Sequence, residues 1–129
     1  MNNKFQDYYK KNRLRVEEVI KGIVKIDQVE NVDFKEDVRL MNRIENNSFL
    51  VKDKKVSILT SVLKKFFQIL EKEKPLFYEY KYDLLECLTD LLKALQVSEK
   101  SAEKPQTSLN EYNKLDDHTA FFENIIFQF

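Results

Sequence analysis

The stretch PLFYEYKYDLLECLTDLLKALQ, residues 75–96, decides between two folds. Its first half alternates aromatic and charged residues as a half-buried strand does, whereas its second half repeats leucine at helical intervals. On a helical wheel the residues separate into two apolar stripes and one polar arc. The first stripe contains Phe77, Tyr80, Leu84, Leu88, Leu91 and Leu95, and the second contains Tyr78, Tyr82, Leu85 and Leu92. This separation predicts one helix from about Leu76 to Gln96, started by Pro75 because proline is favoured in the first turn.

The glycine and proline content points in the same direction. The 129-residue chain contains one glycine and two prolines, whereas β-sandwiches, β-barrels and dinucleotide-binding folds use many glycines in tight turns and close backbone approaches. Hydrophobic residues make up 43% of the chain, which is enough for one core. We therefore predict an all-α fold, an antiparallel helical bundle or short αα-hairpin stack of about five helices. The whole chain, residues 1–129, is predicted to be a single domain.

Apolar periodicity and capping signals set the boundaries of the first two helices. One helix covers residues 4–26, and its single glycine, Gly22, is predicted to mark a close helix crossing. A second helix begins at Asp33, which fits a capping box with Glu36. This helix is predicted to break at residues 45–48.

The middle of the chain is predicted to form a helical hairpin. The segment FLVK, residues 49–52, is either an apolar plug or a short extended connection. A third helix then runs from about Asp53 to Lys74, where the following proline stops it. Together with the fourth helix it would form one αα unit over residues 53–97.

The last helix follows a polar loop over residues 98–108 and opens on a capping box formed by Ser108 and Glu111. Its final segment, FFENIIFQF, is among the most hydrophobic stretches of the chain. The apolar residues surround this helix too widely for one core face. We therefore expect some of them to contact a partner, a second copy or a continuation of the chain, with Phe121 and Phe127 facing outward.

Charge is balanced overall but unevenly distributed along the chain. There are 22 basic and 22 acidic residues. Residues 1–26 carry seven positive and three negative charges, and residues 54–75 carry six and two. The segments that follow each of these are acidic, so neighbouring helices of an antiparallel bundle would place unlike charges side by side.

The single cysteine and the single histidine are predicted to be structural. Cys87 lies beside the core stripe of the fourth helix, where a reactive thiolate is hard to sustain. His118 follows Asp116 and Asp117, but it flanks the apolar stripe and no nucleophile can be placed beside it. Nucleotide-binding, hydrolase and zinc motifs are missing from the sequence. We therefore predict a non-enzymatic protein without cofactor, metal or small-molecule substrate.

Four carboxylates form a line along the fourth helix. They are Glu79, Asp83, Glu86 and Asp90. Di-metal sites in helical bundles pair inward-facing glutamates with a Glu-x-x-His motif, which this sequence lacks. The line is therefore predicted to face solvent, with Lys64 or Lys65 of the preceding helix as its basic neighbour.

The apolar surplus on the fourth and last helices predicts a surface for a protein partner. Contiguous exposed apolar patches mark interaction sites, and aromatic residues are enriched at the centres of interfaces. The predicted interface residues are Tyr78, Tyr82, Leu85, Leu92, Phe121, Phe127 and Phe129. The sequence thus predicts an interaction module, an adaptor or a small subunit of a larger assembly, or a homo-oligomer.

Nucleic-acid binding is the alternative prediction. The segment YYKKNRLR, residues 8–15, combines rings that can stack on bases with four cations. The third helix adds a second basic region. The predicted nucleic-acid contacts are Tyr8, Tyr9, Lys10, Lys11, Arg13, Arg15, Lys54, Lys55, Lys64 and Lys65. The zero net charge of the chain argues against this function.

The expected location is cytoplasmic. No apolar run approaches about 18 residues, and the N-terminal residues contain no hydrophobic stretch typical of a secretory signal. A single cysteine also suits a reducing compartment. No membrane partner is therefore expected.

Overall fold

The computed structural model describes residues 4–101, 103–105 and 109–129. These residues form five α-helices and one short 3₁₀ turn, Val29–Asn31, between the first two helices. The helices are α1 (Lys4–Val24), α2 (Lys35–Leu50), α3 (Lys54–Lys72), α4 (Leu76–Ser101) and α5 (Asn110–Phe127). The predicted all-α fold is confirmed. In this described part, no helix combines the length and the apolar character needed to cross a membrane.

The helices close into a ring in the order α1, α2, α3, α5, α4. Successive helices along the chain run antiparallel, but α5 lies beside α3 and parallel to it. Lys55 in the first turn of α3 contacts Asp116 in α5 at 2.9 Å, and Lys72 at the end of α3 lines the same groove as Phe129. Because α5 lies between α3 and α4, these two helices barely touch. The prediction that residues 53–97 form one packed αα unit is therefore wrong.

Aromatic contacts join α3, α4 and α5 in one continuous core. The Phe66 ring lies 4.9 Å from the Phe122 ring and 6.0 Å from the Tyr80 ring, measured between centroids. At the end where α2 begins, Phe34 packs against Phe67 and Phe77 at 6.0 and 5.9 Å. The first stripe of α4 therefore faces the core, as its spacing predicts.

The fourth helix is continuous, as predicted, and continues to Ser101. Its last turns enter the segment predicted to be a polar loop. Ser98 explains the extension because it is buried, and its hydroxyl donates to the Tyr112 hydroxyl at 3.2 Å. Ser108, part of the second predicted capping box, lies outside the described residues.

Helix α2 does not break at residues 45–48. The Ser48 hydroxyl donates to the Ile44 carbonyl at 2.7 Å, and Glu45 forms an ion pair with Lys64 at 2.7 Å. Polar residues that would favour a turn in isolation are thus accommodated within the helix. Residues 49–52 are accordingly neither a plug nor an extended connection, since Phe49 and Leu50 complete α2 and are exposed.

The capping box predicted at the start of α2 forms only in part. Asp33 Oδ1 accepts a hydrogen bond from the Lys35 amide at 2.7 Å. Glu36 instead binds Arg39, one turn along the helix. The Glu36 carboxylate, which was expected to bond back to the start of the helix, thus pairs with Arg39 instead.

Gly22 does not mark a close helix crossing. It is exposed on α1, and a Cβ atom added there would meet nothing within 4 Å. The prediction of a close approach at this residue is wrong.

Candidate functional site

The second stripe of α4 does not form a continuous apolar surface. Leu85 and Leu92 are partly buried and pack against the core. The Tyr78 hydroxyl accepts the Val29 amide at 3.1 Å and donates to the Asp27 carbonyl at 3.3 Å. Only Tyr82 in this stripe stands largely free, at 79% exposure. The structure therefore corrects the expected α4 interface, since most of that stripe serves the fold.

The end of α5 does present aromatic side chains to solvent. Phe127 is 92% exposed and Phe129 is 62% exposed. Phe121 is at the margin, with 39% exposure, because its ring packs against Tyr80 and Phe122 at 6.1 and 5.1 Å. Of the two rings predicted to face outward, Phe127 does so fully and Phe121 only in part.

A groove of about 660 Å³ lies beside Phe129, between α2, α3 and the end of α5. Its apolar lining includes Val38, Ile69 and Phe129, and Lys35, Lys65 and Lys72 surround it. The one acid in the lining, Glu71, accepts a hydrogen bond from the Phe34 amide. We call Phe127, Phe129 and this groove the α5-end surface. It combines exposed rings with an excess of positive charge.

The two tyrosines predicted to stack on bases are buried. Tyr8 is 4% exposed and Tyr9 is fully buried. The Tyr8 hydroxyl donates to Asp53 at 2.8 Å, and the Tyr9 hydroxyl donates to the Glu103 carbonyl at 2.7 Å. Their assignment as base-stacking residues is therefore wrong, because neither ring can reach a ligand on the surface.

Half of the predicted nucleic-acid cations are held by other side chains of the fold. Arg13 binds Glu99 at 2.5 Å, and Lys64 binds Glu45 rather than the carboxylate line of α4. Arg15 and Lys55 are held in the same way, by Asn47 and Asp116 respectively. The remaining four, Lys10, Lys11, Lys54 and Lys65, are exposed. The predicted surface thus lacks both rings and has fewer available cations than the sequence suggests.

A buried polar cluster surrounds Asp53, just before α3. Its Oδ2 atom accepts hydrogen bonds from the hydroxyls of Tyr8 and Tyr112 at 2.8 and 3.1 Å. Its Oδ1 atom has no hydrogen-bond partner among the described residues. Burial raises the pKa of Asp53 to about 6, although the two hydroxyls act in the opposite direction. Burial also raises the pKa of Tyr8, and the negative charge of Asp53 raises it further. The Tyr8 hydroxyl therefore keeps its proton and donates a hydrogen bond to Asp53.

Sequence reasoning placed Asp53 only at a helix boundary and missed this cluster. The cluster joins α1, α3, α4 and α5 through side chains far apart in the sequence. Because Asp53 is fully buried, it is not positioned to meet a substrate. Its side chain connects helices. This is unusual, because aspartate is rarely fully buried in a protein core.

Asp90 departs from the solvated line predicted on α4. Its Oδ2 atom lies 2.7 Å from His118 Nε2, and the two side chains are 13% and 16% exposed. The pair ties α4 to α5 and removes Asp90 from the solvent-facing row. Lys64, proposed as a neighbour of this row, points to α2 instead.

Cys87 is fully buried in the core. Burial raises the pKa of its thiol well above the ordinary value, and the charges of Asp90 and Glu86 act in the same direction. The neutral thiol packs as a small apolar group. Among the described residues, no group of three or more His, Cys, Asp or Glu side chains is arranged to hold a metal ion.

One exposed apolar site was not recognised in the sequence. Phe49, Leu50 and Ile58 are 74%, 77% and 51% exposed. They lie where α2 ends and α3 begins, at the end of the bundle opposite to the α5-end surface. We call residues 49–58 the α2–α3 corner. The adjacent apolar residues Phe49 and Leu50 were the signal for this site in the sequence. The helix break predicted at residues 45–48 placed them outside α2, so their exposure at its end was not predicted.

Comparison of the chain with protein-family models, curated proteins and solved structures gives no match.

Proposed function

We propose that this protein is a non-enzymatic interaction module that binds a protein partner through the α5-end surface. It would act as an adaptor or as a small subunit of a larger assembly. The observation that carries the proposal is the exposure of Phe127 and Phe129, at 92% and 62%. Full burial of a large apolar side chain stabilises by about 1.5–3 kcal/mol, so covering both rings is a substantial driving force for association.

The surroundings of the two rings support a protein as the ligand. The adjacent groove can receive apolar side chains between α2 and α3, and Lys35, Lys65 and Lys72 beside it favour a partner with acidic groups. An interface with an aromatic centre and a charged rim has this composition. The buried states of Cys87 and Asp53 support the non-enzymatic part of the proposal.

The test compares two matched double variants. Phe127→Ser/Phe129→Ser removes the rings of the α5-end surface, and Phe49→Ser/Leu50→Ser removes two equally exposed side chains at the other end. Each is used as bait in a lysate of the native host, with captured proteins identified by mass spectrometry, and self-association is measured by sedimentation. We expect the first variant to weaken association by about 30-fold or more, corresponding to about 2 kcal/mol, and the second to retain it.

Thermal unfolding of both variants provides the folding control. Because all four substituted side chains are largely exposed, neither melting temperature should change appreciably. Equal association by wild type and the Phe127→Ser/Phe129→Ser variant would refute the proposal. A marked loss of stability in that variant would show instead that the two rings belong to the core.

A further inference from the structure

The α2–α3 corner combines protruding apolar side chains with lysines. Phe49 and Leu50 end α2 and are three-quarters exposed. A groove of about 720 Å³ beside them also includes Lys52, Lys54 and Ile58. A second, smaller groove shares Leu50 and Lys52 and is flanked by Lys4 and Lys104. Leu50 thus protrudes between the two grooves with lysines on both sides, and we call Phe49 and Leu50 the ridge of the corner.

The exposed charge of the corner is entirely positive. Asp53 is the single acid in residues 48–58, and it is fully buried beneath the turn, where it accepts the Tyr8 and Tyr112 hydroxyls. Lys55 points away and pairs with Asp116 on α5. Lys52 and Lys54 are exposed and form no ion pair with any acid that the structure describes. This segment therefore presents no negative charge that would repel an anionic ligand.

Two local features of the corner depart from common sequence preferences. Lys52 has a φ of 61° in a turn where the Asp53 amide bonds to the Ser48 carbonyl and the Lys52 amide to the Phe49 carbonyl. This is the Schellman arrangement, in which glycine is usual at the position that Lys52 occupies. Moreover, the first turn of α3 contains Lys54 and Lys55 and no acid, although a helix N-terminus favours negative charge. The N-cap residue Asp53 and the Lys55–Asp116 ion pair offset this for Lys55, whereas Lys54 is exposed and has no ion pair among the described residues.

Departures from local rules that have no structural compensation tend to mark functional sites. Three such departures meet at this corner: Lys52 in a left-handed conformation, Lys54 without an ion pair at the positive end of a helix dipole, and two apolar side chains in water. A surface that is negatively charged and has an apolar interior would bind the exposed lysines and cover the two apolar side chains.

We propose that the α2–α3 corner docks on the surface of an anionic lipid membrane. Phe49 and Leu50 enter the boundary between head groups and acyl chains, and Lys52 and Lys54 bind the anionic head groups. A fluid bilayer accommodates a protruding ridge without a preformed complement, which favours it over a folded acidic protein. Docking of this kind needs no membrane-spanning helix, and it is independent of the proposed function of the α5-end surface.

The protein offers a direct probe because it contains no tryptophan. Phe49→Trp places a single fluorophore on the ridge, and Phe127→Trp places one at the opposite end, on a ring that is even more exposed. The full chain is mixed with vesicles of phosphatidylcholine alone or of phosphatidylcholine with phosphatidylserine. We expect a blue shift of the Phe49→Trp emission with the anionic vesicles only, and no shift for Phe127→Trp.

Binding affinity is then measured by vesicle sedimentation. Because each lysine near an anionic surface contributes about a five-fold gain in affinity, Lys52→Glu/Lys54→Glu should reduce binding at least 25-fold. Phe49→Ser/Leu50→Ser should also release the protein. Lys52→Gly should raise the melting temperature, because glycine accepts this backbone conformation, yet weaken binding about five-fold. Raising the salt concentration should weaken binding as well.

Several outcomes would overturn the proposal. These are no sedimentation of wild type with anionic vesicles, equal binding to neutral vesicles, or a blue shift of Phe127→Trp without one of Phe49→Trp. Binding to soluble polyglutamate but not to anionic vesicles would show that the corner recognises an acidic polypeptide instead. Melting temperatures of Lys52→Glu/Lys54→Glu and Phe49→Ser/Leu50→Ser that are no lower than that of wild type would show that lost binding does not reflect unfolding.

Discussion

Asp53 influences both the interior of the bundle and the exterior of the α2–α3 corner. Its carboxylate holds Tyr8 and Tyr112 inside the bundle, and its burial leaves the outside of the α2–α3 corner to lysines. The arrangement disfavours ionisation, since burial raises the pKa of Asp53 to about 6. The buried carboxylate therefore makes folding sensitive to pH.

Asp53 should make the protein less stable as pH rises from about 4 to about 6. In this range the folded state binds a proton that the unfolded state has released, because the pKa rises from 3.8 to about 6 on folding. The stabilisation by this proton is complete below the lower value and absent above the upper one. The change amounts to about 3 kcal/mol in the free energy of unfolding. In Asp53→Asn, which cannot ionise, this part of the pH dependence should disappear.

Denaturant unfolding of wild type and Asp53→Asn at a series of pH values checks this expectation. Other carboxyl groups, including Asp37, whose pKa burial raises to about 7, titrate in both proteins. The difference between the two curves therefore isolates Asp53. Parallel curves from pH 4 to pH 6 would mean that Asp53 is not titrating in this range.

The sequence could predict the outward direction of Phe127 but not the burial of Tyr8 and Tyr9. A helical wheel places Phe127 at the edge of an apolar arc, and that depends on spacing alone. Tyr8 and Tyr9 are adjacent, so they point in directions about 100° apart, and only the positions of their neighbours decide whether both are covered. Those neighbours, Asp53 and Glu103, lie 45 and 94 residues away in the chain.

Helix α1 contains the one glycine of the chain where a helix does not need it. Gly22 is exposed, and an added Cβ atom would meet nothing within 4 Å. The backbone freedom of glycine in the unfolded chain is therefore lost on folding without any gain in packing. The position that favours glycine, Lys52, has a side chain instead.

Gly22→Ala should stabilise the protein by about 1 kcal/mol, the difference in helix propensity between the two residues. Thermal or denaturant unfolding would measure it. Lys21→Ala provides a control on the same exposed turn and should change stability much less, because lysine already favours a helix. Destabilisation by Gly22→Ala would reveal a close contact to this residue that the fold does not show.

Helix boundaries were predictable where a strong local signal acts, as at Pro75, and not where tertiary contacts outweigh local preference. The residues ENNS favour a turn in isolation, yet α2 continues through them because Lys64 binds Glu45 and Ser48 bonds to its own helix. The order of the helices in the ring could not be predicted from the sequence either. Amphipathic spacing shows that a helix has a buried face but not which neighbour covers it.

At the scale of the whole molecule, the two exposed sites lie at opposite ends of α3. This helix has 19 residues, so at 1.5 Å per residue its ends are about 28 Å apart. Sites separated by such a distance, with no shared contacts, are expected to act independently. The bundle would then hold a protein partner at one end and a membrane at the other.

This independence can be tested with the two sets of variants already described. Lys52→Glu/Lys54→Glu should lose vesicle binding and keep its protein association, whereas Phe127→Ser/Phe129→Ser should show the reverse. Combining all four substitutions should give the sum of the separate free-energy changes, within about 0.5 kcal/mol. Loss of both activities in either double variant would indicate a single shared site.

The closed ring has a consequence for synthesis of the chain on the ribosome. Helix α1 is covered by α4, and the Arg13–Glu99 bond between them joins residues 86 positions apart. At translation rates of about 5–20 residues per second, α4 follows α1 by on the order of 5–20 s. During that interval the nascent α1 carries Tyr9, Val16 and Ile23 without their final cover. Of the helix pairs that pack together, α1 and α4 are the farthest apart in the sequence, so the apolar face of α1 waits longest for its partner helix during synthesis.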